Sequence, residues 1–308
     1  MSLLKKPSEI SESVCLSGLI YGQPGVGKST LALSAPNPVL IDADNGIHRV
    51  EKRFQVPSLP LRSYKELLAL IESDELKGFD TVVFDTVGKL VDRIGDYLME
   101  TNPKNRQADG SLTLKAYGAL KVEFQRLIRN FQSKNKNLIF VAHEREEKDD
   151  DSKVVRPDIS GSSGKDLVKD LDFMGYMEMR GNKRTISFTP CGKFYAKNSM
   201  RLPDVIEIPD TAKGNNFMQD TVIAGAAKRR QEDEIQNKKY KEFNVAVDDV
   251  IQNIEDEETA NDVLRFIDDS TPIWDSHFMA KRKLLDKVKG LGFEYNKQSK
   301  SFEKLQAA

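Results

Sequence analysis

Several groups of side chains in this sequence have the types and spacing to handle a phosphate chain. Gly22-Gln23-Pro24-Gly25-Val26-Gly27-Lys28-Ser29 is a glycine, four residues, then Gly-Lys-Ser, the spacing of a phosphate-binding loop. Glycines lack a Cβ, so the backbone can approach an anion and aim successive N–H groups at its oxygens. Lys28 is a point charge able to reach β- and γ-phosphates, and the Ser29 hydroxyl is an oxygen donor suited to magnesium. Gly22, Gln23, Pro24, Gly25, Val26, Gly27, Lys28, Ser29 and the following Thr30 are therefore the expected nucleotide-binding residues. A nucleoside triphosphate, with ATP the first choice, and Mg2+ are the expected ligands.

Two acidic positions and a histidine could complete such a site. Thr81-Val82-Val83-Phe84-Asp85 is β-branched and apolar and closes on an acid. Behind a phosphate loop, that acid is the expected holder of the metal, with Ser29 as the second metal residue. Val39-Leu40-Ile41 closes on Asp42-Ala43-Asp44. Carboxylates at a strand's C-terminal end are where α/β proteins place ligands. One of the two, Asp44, is expected to be catalytic; the alternative is that both merely cap the next segment. Asn137 to Ala142 is a further apolar run that delivers His143. A polar side chain there can touch the γ-phosphate and report its presence, or can simply end the strand. Asp44, Lys28 and His143 are the candidate catalytic residues.

The elements that must position these groups are legible as patterns. Leu16 to Tyr21 reads as a buried strand before the loop, and Ser29 to Leu33 as the first turns of a helix. Ser63 to Leu76 has helical spacing, with Ser63 and Glu66 as a capping box and Gly78 as its stop. Val87 to Glu100 and Leu114 to Phe131 read as helices. Phe173 to Arg180, Arg184 to Thr189 and Gly192 to Ala196 read as strands joined by tight turns. Repeated strand–helix alternation predicts an α/β fold with a mostly parallel central sheet flanked by helices.

The connecting segments are less specific. Thr101 to Leu112 is polar and reads as an exposed loop. Glu144 to Lys153 is a mixed-charge run and reads as a solvated loop. Arg156 to Lys165 is dense in Gly, Ser and Pro and reads as a mobile loop, whose cations could contact phosphodiesters or only solvent. Residues 1–13 read as a loose leader. From Thr211 the composition shifts to charged, helical segments: Asn216 to Phe243, Val245 to Ile254, Glu257 to Ile267 and Pro272 to Lys289, then a short basic tail. The predicted division is a core over 1–212 and a small C-terminal helical appendage over 213–308.

Composition narrows the function. Of 308 residues, 39% are hydrophobic and 31% charged, with a net charge of −1. A globally basic nucleic-acid binder is excluded, though a local basic patch is not. No apolar run is long enough to span a bilayer. The two cysteines, Cys15 and Cys191, lie far apart and suggest neither a disulfide framework nor a metal cluster. A cytosolic, reduced protein is the simplest expectation.

Gly22 to Ser29, Ile41 to Asp44, and Val82 to Asp85 followed by Ile139 to His143 occur in the order of the RecA-like ATPase core. More narrowly, the chain resembles phage-encoded ATP-binding proteins that consist of little more than that core and act in single-strand annealing or strand exchange. The resemblance covers roughly residues 14–205. It implies a RecA-like fold, ATP hydrolysis, and single-stranded DNA and a homo-oligomer, ring or filament, as partners; it does not reach the C-terminal appendage, which could recruit a single-strand-binding protein, contact DNA, aid assembly or only cap the core. It places DNA-contacting loops near 101–113 and 145–166. It makes Lys197 or Arg201 a cation inserted into a neighbouring subunit's site. It sets Asp44 where the recombinase pattern has a glutamate that orients the attacking water, one methylene shorter. A helicase, a helicase loader or another partner-remodelling ATPase is the competing expectation. A small-molecule kinase fits less well, because no arginine-rich lid is visible.

Overall fold

The computed structural model describes residues 15–149, 152–159 and 169–304. The predicted leader, 1–13, and most of the predicted mobile loop, from Ser160 to Lys165, lie outside these. The chain forms two compact units, Met1–Ala227 and Lys228–Ala308.

The first unit is built on one sheet. Its strands are β1 (Ser17–Gly22), β2 (Pro38–Asp42), β3 (Ser58–Pro60), β4 (Thr81–Asp85), β5 (Asn137–Asp149), β6 (Ser152–Pro157), β7 (Phe173–Arg180), β8 (Lys183–Ser187), β9 (Lys197–Asn198) and β10 (Val205–Glu207). The order is β10-β8-β7-β1-β5-β4-β2-β3, with β6 on β5 and β9 on β7. From β7 to β3 every pairing along this path is parallel. β8 and β10 extend the sheet antiparallel.

Alternation along the central strands feeds two cores. Leu19, Tyr21, Val82, Phe84, Leu138 and Phe140 point to one face. Ile20, Val83, Ile139 and Val141 point to the other. A strand covered on both faces needs such a continuous apolar run. The first face is covered by α2 (Tyr64–Glu72), α3 (Val87–Thr101) and α4 (Leu114–Ser133). Phe84 stacks on Phe140 at 5.0 Å and meets Phe131 edge-on at 5.5 Å. Full burial of each such side chain contributes about 1.5–3 kcal/mol. The capping box forms as predicted, Ser63 starting α2 with Glu66 at its third position. The helix ends at Ser73, and a separate 3-10 turn carries the chain to Gly78. The second face is covered by the short α1 (Lys28–Ala32) and by Phe217, Met218 and Val222. Those three residues explain why the first unit runs past the predicted boundary at 212/213. They complete its core, with the Met218 N–H on Ser34 Oγ at 2.9 Å.

Two predicted segments differ. The mixed-charge run is no loop over its described residues: β5 continues from Glu144 to Asp149 and pairs with β6 from Glu144↔Pro157 to Asp149↔Ser152. Its side chains are charged on both faces, so the apolar alternation that marks a strand is missing. Cross-strand ion pairs take its place, Lys153 to Glu146 and Arg156 to Glu147, both at 2.8 Å. Gly192 to Ala196 forms no strand. Phe194 makes only isolated bridges to Cys191 and Val155.

The second unit has its own core. α5 (Ala224–Gln252) merges the two helices predicted over 216–254 and belongs to this unit from Lys228 onward. α6 (Glu257–Asp269) and α7 (Ser276–Gly290) follow. Val247, Ala260, Ile267, Ala280 and Leu284 are at 0% exposure. The region is helical as predicted, but the basic tail is a hairpin of β11 (Phe293–Asn296) and β12 (Ser301–Lys304), anchored by buried Phe293 and Phe302. Among the described residues no helix is long and apolar enough to cross a membrane.

Candidate functional site

The C-terminal ends of the parallel strands bring the predicted groups together by register. Gly22 pairs with His143 on one side and Met177 on the other. Asp85 pairs with Asp42 and Val141. A cleft of about 420 Å³ opens over this edge, lined among others by Gly25, Gly27, Lys28, Ser29, Asp44, Asp85 and His143.

The loop's shape depends on its glycines. A Cβ on Gly22 would lie 2.1 Å from the Met177 carbonyl oxygen, so the strand can end this close to β7 only without a side chain. Gly27 precedes α1 at φ 96°, a left-handed conformation that side chains resist. Lys28 is only 6% exposed. Its ammonium donates to the carbonyl oxygens of Gly22 at 2.8 Å and Gln23 at 2.7 Å. Burial lowers its pKa, and the charges of Asp85 and Glu144 oppose that. An ammonium held by its own loop's carbonyls is ready to exchange them for phosphate oxygens, which are stronger acceptors.

Ser29 Oγ donates to Asp85 Oδ2 at 2.5 Å, which brings the two predicted metal residues together. Burial raises the Asp85 pKa. The Ser29 hydrogen bond and Lys28 act against that rise, and the carboxylates of Asp44 and Asp42 add to it. A buried carboxylate crowded by two others gains most from an added cation. Among the described residues no three His, Cys, Asp or Glu side chains converge on a metal-sized point. Two oxygen donors without a full protein cage fit magnesium, which keeps waters and takes the rest of its shell from phosphates.

Asp42 and Asp44 separate cleanly. The Asp42 carboxylate accepts from the N–H groups of Gly46 at 2.8 Å and Ile47 at 3.0 Å, so it caps the turn after β2. Asp44 faces the cleft. Its backbone N–H donates to the Asp85 carbonyl at 3.3 Å, and its carboxylate lies 3.8 Å from His143 Nε2. His143 Nδ1 is buried with no hydrogen-bond partner. The acid and the histidine thus form one pair at the mouth of the loop.

Lys197 and Arg201 do not line this cleft. Lys197 pairs with Met174, three residues before Met177 on β7. That is about 10 Å along the strand from the loop. Its ammonium donates to the Lys169 carbonyl at 2.7 Å. The 101–113 segment is exposed as predicted, apart from a 3-10 turn at Pro103–Asn105 and a bridge between Arg106 and Leu112. In the ribbon of β5 and β6, Arg145, Lys153 and Arg156 are all ion-paired to Glu146 or Glu147.

Arg184 escaped the sequence reading. It lies on β8 and joins the cleft lining, and its guanidinium carbon lies 3.7 Å from where a Gly27 Cβ would stand. Among the described residues it has no ion-pair partner. Its arrival depends on β8 pairing back onto β7, which leaves no local signal. Asn215 was missed for the same reason; its amide donates to the Thr30 carbonyl at 2.6 Å and closes the α1 side of the cleft. An unpaired guanidinium over a phosphate loop is available for charge-assisted bonds. Arg184→Ala is expected to weaken nucleotide binding about tenfold. Isothermal titration calorimetry checks this; unchanged affinity would leave Arg184 outside the binding set.

A family model described as an AAA domain matches residues 16–200. No curated protein sequence matches the chain.

Proposed function

The chain belongs to the AAA-domain family of phosphate-loop ATPases, and from that premise we propose that it is an ATP-dependent recombination protein that binds single-stranded DNA and couples this to ATP hydrolysis and self-assembly. On this reading Lys28 and the loop amides hold the β- and γ-phosphates. Ser29 and Asp85 hold Mg2+, which when bound neutralises phosphate charge. Asp44 orients the attacking water, and an acid set back by one methylene makes hydrolysis slow. His143 contacts the γ-phosphate and shares its state with Asp44. A cation from a neighbouring copy, Lys197 or Arg201, completes the site as an arginine finger does. Both lie off their own chain's cleft, which is consistent with service to another.

The observation that carries the coupling is the continuity of β5. One strand holds His143 beside Gly22 and then continues as the ribbon that pairs with β6. A γ-phosphate that moves His143 therefore pulls directly on this strand pair. The ribbon's paired charges favour a second reading, in which it touches a protein and the chain is a helicase loader or related remodelling ATPase. ATP hydrolysis measured with and without single-stranded oligonucleotide separates the two. Recombination predicts a rate rise of about tenfold or more, corresponding to about 1.4 kcal/mol of barrier. A rate indifferent to DNA and raised only by a protein partner supports the loader.

A further inference from the structure

We propose that a further cleft of the first unit, between the start of α2, the second half of α3 and the segment 106–110, is a binding site for a phosphate monoester. Its volume is about 370 Å³, within the range of small-molecule pockets. Arg62, Lys65, Arg93 and Arg106 all line it. Arg62 and Lys65 stand just past the C-terminal end of β3, on the side of the sheet where α/β folds hold ligands. In the sheet order β3 is four steps from β1, about 19 Å across the strands. The two clefts share no lining residue among the described residues, so this site is separate from the phosphate loop.

Charge in this cleft is unbalanced. Its two acids are already engaged, Glu100 with Lys65 at 3.0 Å and Asp96 with Arg93 at 3.7 Å. Arg62 and Arg106 have no ion-pair partner among the described residues. The Arg93 guanidinium makes no hydrogen bond among them either: 3.7 Å is too long for one, and its Nε is buried without a partner. Guanidiniums gathered without acceptors repel one another, and an oxyanion that accepts from them removes that cost. Gly110, at φ 88°, leaves no side chain beside Arg106, whose Nη2 lies 3.6 Å from where a Cβ would stand. Ser63, Tyr64 and Lys65 bring the N-terminal end of α2 to the same wall, and its partial positive charge adds to the attraction.

The charge count selects the occupant. With Asp96 and Glu100 each answering one cation, two positive charges are left over. A phosphate monoester carries about −1.5 to −2 at pH 7 and presents three acceptor oxygens. A carboxylate or a phosphodiester brings a single charge and leaves one arginine unanswered. Arginine forks pair with phosphate oxygens two at a time, so Arg62, Arg93 and Arg106 can share one terminal phosphate. Half-buried Tyr97 and Met99 give the organic body a surface to rest on, with the Tyr97 ring fixed 5.3 Å from that of Tyr64.

The monoester could belong to a free small molecule or to the phosphorylated end of a nucleic-acid strand. Calorimetric titration of the full-length protein with phenyl phosphate is expected to show a site that binds phenyl sulfate, its monoanionic counterpart, about tenfold more weakly or worse. Arg62→Ala combined with Arg106→Ala is expected to weaken phenyl phosphate about a hundredfold. Both side chains are exposed, so the melting temperature of that variant is expected to stay unchanged. Lys28→Ala is expected to keep the full affinity for phenyl phosphate; loss there would put the ligand on the phosphate loop and overturn the proposal. Equal affinity for the sulfate, full affinity in the double arginine variant, or no phenyl phosphate binding at millimolar concentration would overturn it as well. Displacement by glycerol phosphate supports the site and makes a small molecule its source. Displacement by oligothymidylate with a terminal phosphate, but not by the same strand without one, supports it and makes a strand end the source. Equal displacement by both strands assigns the cleft to phosphodiesters and overturns the monoester.

Discussion

Lys28→Ala is expected to abolish ATP binding and to lower hydrolysis by about a thousandfold, the upper range for removal of one preorganised charge-stabilising donor. The wild-type ammonium is buried and, among the described residues, bonded only to Gly22 and Gln23 carbonyls. Its removal takes a desolvated charge out of the free protein, so free stability changes little. The difference appears with ligand. At ATP about 100-fold above its dissociation constant, binding stabilises the wild type by about 2.7 kcal/mol. For a unit of this size that raises the melting temperature by about 5–10 °C. The variant is expected to show no rise. Wild-type affinity of Lys28→Ala for a fluorescent ATP analogue would show the phosphate-loop reading to be wrong.

Asp85→Asn separates stability from activity. Burial raises the Asp85 pKa above its ordinary 3.8, and Asp44 and Asp42 raise it further. The folded protein therefore holds this proton more tightly than the unfolded chain does. That contribution is fully present below the unfolded pKa and is lost as pH rises through the folded value. At neutral pH the ionised carboxylate is a cost, and asparagine removes it while still accepting from Ser29. The free variant is expected to melt above wild type at neutral pH, with the gap closing as pH falls toward 3.8. Mg2+-dependent hydrolysis is expected to fall about 10²–10³-fold, because the asparagine lacks the charge that holds the metal. A variant that melts lower than wild type at neutral pH would contradict this electrostatic account. Melting curves across pH, with paired hydrolysis rates, provide the measurement.

The parts of the site that were legible are those whose chemistry is contiguous in the chain. Gly22 to Ser29 is one unbroken motif, and Thr81 to Asp85 announces its strand by β-branching and its end by an acid. Asp42 and Asp44 were ambiguous because both end the same strand. Only the Gly46 and Ile47 N–H groups, brought round by the following turn, assign Asp42 to capping. Arg184 and Asn215 were invisible because strand pairing and a distant turn deliver them to the cleft. The ribbon after His143 was hidden for a different reason. Its strands are stabilised by ion pairs across the ladder, so they carry no hydrophobic period. The C-terminal hairpin rests on two phenylalanines in a polar stretch, too few to show an alternation.

The central claim is that a triphosphate lies on residues 22–29 with its metal between Ser29 and Asp85. A crystal structure with a non-hydrolysable ATP analogue and Mn2+ tests it directly, since manganese scatters anomalously. The account predicts one anomalous peak within coordination distance of Ser29 Oγ and the Asp85 carboxylate, directly or through one water, with β- and γ-phosphate oxygens on the Lys28 ammonium. A nucleotide bound elsewhere, or a metal peak remote from both Ser29 and Asp85, would contradict it.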